Sequence, residues 1–193
     1  MGARVTNDGP KAWLGSGSSP ASGDAPRFRA ELAEAAPALR RFLFGLCGDW
    51  HRSEDLSQEA LLSAWRKRDS FDGRAGLKTW VFAIARNHWL TGLRQQARRP
   101  REQPVNESCQ ISLAAAPEAA ASRGELAEAV AAAMARLPDE QREALSLREL
   151  GGLTSAQVAG VLNLPLGTVK SRLRYAMLKL ARELEPFAQE LEP

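Results

Sequence analysis

The stretch Leu153–Leu180, LTSAQVAGVLNLPLGTVKSRLRYAMLKL, restricts the fold more than any other part of the chain. Thr154 followed by Gln157 is the T-x-x-Q form of a capping box, in which each side chain satisfies a free N–H of a helix's first turn. Val158, Val161 and Leu162 then recur at helical spacing. Asn163-Leu164-Pro165 ends that helix: Asn tolerates the left-handed backbone of a tight exit, and Pro suits the opening of a new helix. The second helix carries Val169, Leu173, Ala176 and Leu180 on one side and Thr168, Lys170, Ser171, Arg172 and Arg174 on the other. A short helix, a tight turn and a longer basic helix make a helix-turn-helix.

From Leu166 to Arg182 there are five Lys/Arg and no acid. The unpaired N–H groups of a helix start already attract anions. Gly167 removes a side chain there, so a phosphate or groove wall can approach. Turning about 100° per residue from the Val169 seam puts Ser171 and Arg174 outermost, with Lys170 on one flank and Thr168 and Arg172 on the other. Lys170, Ser171 and Arg174 are therefore placed near base edges, and Thr168 and Arg172 near phosphates. The plain alternative is an amphipathic helix with a solvated basic face; the cap and the short turn argue against it.

Ala and Leu dominate the 193 residues and β-branched residues are few, which predicts an all-α chain. The net charge of +3 is unevenly placed: 0 over residues 1–26, +6 over 27–100, −1 over 101–124 and −2 over 125–193. Positive charge thus gathers on the first half and on one helix of the second, as when two surfaces meet nucleic acid.

Residues 1–26, rich in Gly, Ser, Pro and Ala, read as a disordered extension. From Arg27, Phe28, Leu32, Ala35, Leu39, Phe42 and Leu46 step by four and three, with Pro37 placed to kink or divide the helix. Ser53-Glu54-Asp55 opens a second helix, Asp72–Gly76 forms a loop, and Thr79 caps a third helix running to about Arg99. In that third helix Trp80, Arg86, Asn87, Trp89, Arg94 and Arg98 interleave aromatics, cations and an amide. Aromatics stack on unpaired bases while Arg follows the backbone; for Trp80 a core role is preferred. Pro100–Gly124 reads as a flexible linker. Helices over about Glu125–Arg136 and Asp139–Leu150 precede the helix-turn-helix, and the acidic tail from Glu183 frays. The expected architecture is two small, separately folded helical domains, 27–99 and 125–185, with an acidic end at 186–193.

Enzymatic readings find little support. There is no P-loop, no spacing of metal ligands around His51 or His88, and no Ser-His-Asp or Cys-His set. No cofactor is called for. Cys47 and Cys109 lack C-x-x-C spacing and read as free thiols. No apolar run approaches a membrane span and no signal peptide is seen, so a cytoplasmic protein is expected.

SEDLSQEALLSAW (Ser53–Trp65), TWVFAIARN (Thr79–Asn87), LPDEQREALSLRELGGLT (Leu137–Thr154) and LPLGTVKSRL (Leu164–Leu173), in this order across a Pro/Ala linker, resemble the extracytoplasmic-function branch of bacterial sigma factors. The resemblance implies a protein that binds core RNA polymerase and directs it to promoter DNA. It places Asp55, Gln58 and Glu59 against the polymerase clamp helices. It places Arg86, Asn87 and the loop Asp72–Lys78, with Arg74 and Lys78, at the melted minus-ten element, and Thr168–Arg174 on the duplex minus-thirty-five element. It also implies a linker in the polymerase channels and a cognate anti-sigma partner. Thr91-Gly92 stands where the family commonly has an acid and a polar residue. Tyr175 and Met177 stand where Arg is frequent. The rival readings are a stand-alone helix-turn-helix regulator that binds an operator without polymerase, and an enzyme acting on DNA.

Overall fold

The computed structural model describes residues 25–98 and 124–189. Residues 1–24, 99–123 and 190–193 lie outside them, and with them most of the expected extension (1–26), most of the expected linker (100–124) and the last four residues of the acidic end. Seven α-helices make up the described residues: α1 Ala25–Cys47, α2 Trp50–Arg66, α3 Leu77–Arg98, α4 Gly124–Ala135, α5 Asp139–Leu145, α6 Ser155–Leu162 and α7 Leu166–Gln189. A 3₁₀ turn, Arg68–Ser70, follows α2, and a π-helical turn, Ser146–Leu150, follows α5. The protein is all-α, with a first bundle of α1–α3 and a second of α4–α7.

In α1 the periodic residues Phe28, Leu32, Ala35, Leu39, Phe42 and Leu46 are all buried, as their spacing predicts. Pro37 does not divide the helix. It sits on the solvent face, where water can take the carbonyl its ring leaves without a donor. The apolar stripe on either side is buried, so the helix continues past Pro37. The second helix begins at Trp50 rather than Ser53. Asp49 is its N-cap, accepting from the Arg52 N–H at 3.0 Å. Ser53 is instead buried inside the first turn, donating to the Trp50 carbonyl at 2.7 Å. The buried residues of α2 are small, Ser53, Ser57, Ala60 and Ala64, which lets its neighbours approach closely. Thr79 is likewise buried within α3, which starts two residues earlier at Leu77. Phe28, Phe71 and Trp80 form an aromatic knot, with Phe71 and Trp80 centroids 5.2 Å apart, so Trp80 has the core role expected of it.

The helix-turn-helix is built as the sequence dictates. Both hydrogen bonds of the capping box are made: Thr154 N–H to Gln157 Oε1 at 2.8 Å, and Gln157 N–H to Thr154 Oγ1 at 3.2 Å. Asn163 closes α6 in the left-handed region at φ 54. Val158–Leu162 are all buried, and Val169 and Ala176 anchor α7 with no exposure at all. Two details differ from expectation. The helix after Pro138 widens at Ser146, where Gly151 N–H bonds back five residues to the Ser146 carbonyl at 2.9 Å. The acidic tail does not fray at Glu183: α7 runs through Pro186 to Gln189, and Glu183 pairs with Arg136 of the α4–α5 turn.

The two bundles anticipated from the sequence are both present, and they dock on each other. One apolar cluster joins Phe42, Leu46, Val81, Phe82 and Ile84 to Ala144, Leu147, Leu153 and Val158. A smaller one, Met134, Leu137, Leu145 and Ala176, belongs to the second bundle alone. The contact places the π turn against α1 and α6 against α3.

Candidate nucleic-acid interface

Three surfaces carry the residues singled out above. On α7 the open end of the helix is bare: a Cβ added to Gly167 would meet nothing within 4 Å. Thr168, Lys170, Ser171 and Arg174 are exposed in a row beside it. Ser171 Oγ donates to the Gly167 carbonyl at 3.0 Å, which fixes the hydroxyl while leaving its lone pairs outward. Val169 and Ala176 hold the opposite side in the core, so the row cannot rotate away. Arg172 differs. Its Nη2 lies 2.6 Å from Glu140 Oε2 on α5 and its side chain is only 20% exposed, so in this form it braces α7 against α5.

The second surface is the exposed edge of α2. Asp55, Gln58 and Glu59 all face outward along it. Glu54 is tied back to Arg40 at 3.5 Å. His88 reaches across from α3, with Nε2 3.0 Å from Ser63 Oγ and Nδ1 3.8 Å from Glu59. This role of His88 has no local sequence signal, since its partners Ser63 and Glu59 lie on another helix.

The third surface is α3 with the loop before it. Asn87, Arg94 and Arg98 are exposed. Arg74 is exposed and pairs with Asp72 of its own loop, at 3.4 Å. Trp89 is half-buried under the Arg52 guanidinium, 4.8 Å from the ring centroid, so a base would have to share it with Arg52. Lys78 and Arg86 are engaged. Lys78 Nζ donates to the Gly152 carbonyl at 3.1 Å and lies 5.8 Å from the Phe82 ring centroid. Burial, and secondarily the Arg41 charge, hold its ammonium below the usual lysine range. Arg86 makes a two-pronged pair with Glu143 of α5, Nε–Oε1 at 2.7 Å and Nη2–Oε2 at 3.3 Å. Glu143 and Glu140 went unnoticed in the sequence because they stand 57 and 32 residues from the arginines they meet.

Residues 32–99 match the family model for sigma-70 region 2, and residues 127–180 match that for sigma-70 region 4. The extracytoplasmic-function RNA polymerase sigma factor RpoE of Cereibacter sphaeroides is 33% identical over 155 residues, which cover 77% of this chain and 81% of the relative. The chain belongs to the extracytoplasmic-function sigma factors. EcfG of Rhodopseudomonas palustris is 35% identical over 157 residues, covering 79% of this chain and 82% of that one. Among solved structures, RpoE of Bartonella quintana in complex with the anti-sigma factor NepR superposes with a TM-score of 0.63 at 28% identity, over 82% of this chain and 96% of that one. CnrH in complex with the cytosolic domain of CnrY superposes equally well, at 0.63 and 25% identity, over 86% and 92%.

The sigma factor is thus a transcription initiation factor and not an enzyme. The first bundle is region 2, and α4–α7 hold region 4. No described helix is long and apolar enough to cross a membrane.

Proposed function

We propose that this sigma factor, working in the cytoplasm, carries core RNA polymerase to bipartite promoters by reading the minus-thirty-five element as duplex with α7 and holding the melted minus-ten strand on α3. Gly167, Thr168, Lys170, Ser171 and Arg174 meet the duplex: the glycine and threonine at phosphates near the helix N-terminus, the other three at base edges. Arg172 joins the phosphate contacts by leaving Glu140. Arg74, Lys78, Arg86, Asn87, Trp89, Arg94 and Arg98 take the single strand, where stacking contributes about 1–3 kcal/mol per base and arginines track the backbone. Asp55, Gln58 and Glu59 dock α2 on the polymerase. An anti-sigma protein holds the factor inactive, as the complexes of the Bartonella RpoE and of CnrH suggest.

The observation that supports this most is the acid-free, outward row on α7 beside a helix N-terminus with open space around Gly167. A merely solvated face has no need of a bare glycine there or of a core that locks the row outward. In vitro transcription with core polymerase on genomic fragments, with start sites mapped, tests the proposal. Discrete starts that depend on both proteins are expected. Duplex binding by the chain alone, with no transcription from core, would instead make it a stand-alone regulator.

A further inference from the structure

Four contacts join region 2 to region 4, and two of them engage residues assigned above to the melted strand. Arg86 is paired with Glu143, and in that pair the two side chains keep only 23% and 14% of their exposure. Lys78 is bonded to the Gly152 carbonyl. Beside them the surfaces meet through glycines. A Cβ on Gly45 of α1 would come within 2.5 Å of Leu150 Cδ1 and 2.6 Å of Ser146 Oγ, and one on Gly151 within 2.6 Å of the Phe82 ring. Gly45 lies buried in the last turn of α1, and only its missing side chain lets Leu150 and Ser146 come that close.

We propose that region 4 plugs the Arg86–Lys78 end of the strand-binding face of region 2, leaving Asn87, Arg94 and Arg98 exposed, so that the free sigma factor is partly self-inhibited. The Glu143 carboxylate occupies Arg86 as a phosphate would, and the Gly152 carbonyl occupies Lys78. The inference rests on the assignment of Arg86 and Lys78 to the single strand. The seam is also made to open. Ser146 Oγ is buried in it with no hydrogen-bond partner. Opening returns that hydroxyl to water. The duplex-reading row on α7 stays exposed in the closed form, so an upstream element can be engaged first and the plug released afterwards. A chain that is only fractionally open binds single strand with its affinity reduced by that fraction.

The test uses the full chain without polymerase. Gly45→Leu adds bulk at the seam, leaves the charge unchanged and suits a helix better than glycine. Glu143→Gln removes the charge facing Arg86. Small-angle scattering reads compactness, and fluorescence anisotropy reads binding to a random-sequence 12-mer of single-stranded DNA. Both variants are expected to be more extended than the native chain and to bind the 12-mer about tenfold more tightly, as release from a state open one time in ten requires. Arg86→Glu should expand the chain, and Arg86→Glu with Glu143→Arg should compact it again; this arm is independent of DNA and of any folding defect in Gly45→Leu. An extended native chain, or a charge swap that fails to restore compactness, would overturn the plug and leave the strand-binding assignment standing. Extended variants that bind the 12-mer no better than the native chain would overturn both.

Discussion

Thr154→Ala removes one half of a reciprocal pair, and its cost can be worked out from the structure. Thr154 is exposed, so no packing is lost with its methyl group. What goes is the acceptor for the Gln157 N–H, at 3.2 Å. Replacing an N-cap threonine by alanine costs about 1 kcal/mol, within a range of about 0.5–2. α6 has only eight residues, all five of its last ones buried, so it has no alternative start to slide to. Gln157→Ala should cost a similar amount through the 2.8 Å bond from the Thr154 N–H. The double variant should lose less than the two single losses added, because each bond positions the other side chain. Urea denaturation followed by circular dichroism reads the loss as a lower midpoint at unchanged slope. In thermal melts the same 1 kcal/mol gives about 2–4 °C if both bundles unfold together, and about 4–8 °C if region 4 melts alone. A Thr154→Ala variant as stable as the native chain, or strictly additive losses, would refute the reasoning that this box sets the entry to the helix-turn-helix.

Other outcomes follow from the same geometry. Phe82→Ala, at a fully buried position between the bundles, should cost about 3–5 kcal/mol in urea denaturation. Arg174→Ala should relax base preference at one upstream position, by about 1–3 kcal/mol of discrimination, in a binding screen across promoter variants; a loss uniform over all sequences would make Arg174 a phosphate contact. Glu140→Ala should free Arg172 and raise duplex affinity at low salt, with a steeper salt slope, since one more cation reaches the backbone. Lys78, held below its usual range, binds its proton less tightly in the folded chain than in the unfolded one. Its charge therefore costs stability at neutral pH. That cost is relieved as pH rises from the lowered value towards the ordinary one. Urea midpoints across that window should rise less in Lys78→Met than in the native chain.

Much of region 4 was legible because its instructions are local. Thr154 and Gln157 lie three apart, and Asn163 and Pro165 mark the turn between two periodic runs, so neighbours alone fix the motif. Region 2 was legible as periodicity, less so as boundaries. Ser53-Glu54-Asp55 looks like a helix start, yet Asp49 offers the better cap and Ser53 is small enough to go inside. Pro37 is a breaker only where its lost bond is shielded from water, which sequence alone does not report. Beside the widening at Ser146, Gly151 lies against Phe82, a contact across 69 residues that has no local signal. Above all, the docking of the two bundles leaves no periodic trace. Gly45 looks like a weak helix residue until Leu150 is seen against it, and Arg86 looks like a free cation until Glu143 arrives. The acid-free runs in α3 and α7 could be counted; which of their arginines stand free could not.

Permanganate reactivity of promoter thymines addresses the central claim most directly, since unpaired thymines react and stacked ones do not. With core polymerase and the native sigma factor, reactive thymines should appear just upstream of the start site, together with protection of the upstream element. With Asn87→Ala the upstream protection should remain while the reactive thymines fade. Equal loss of both signals in that variant, or thymine reactivity that needs no region 2 residue, would contradict the division of labour between the two bundles.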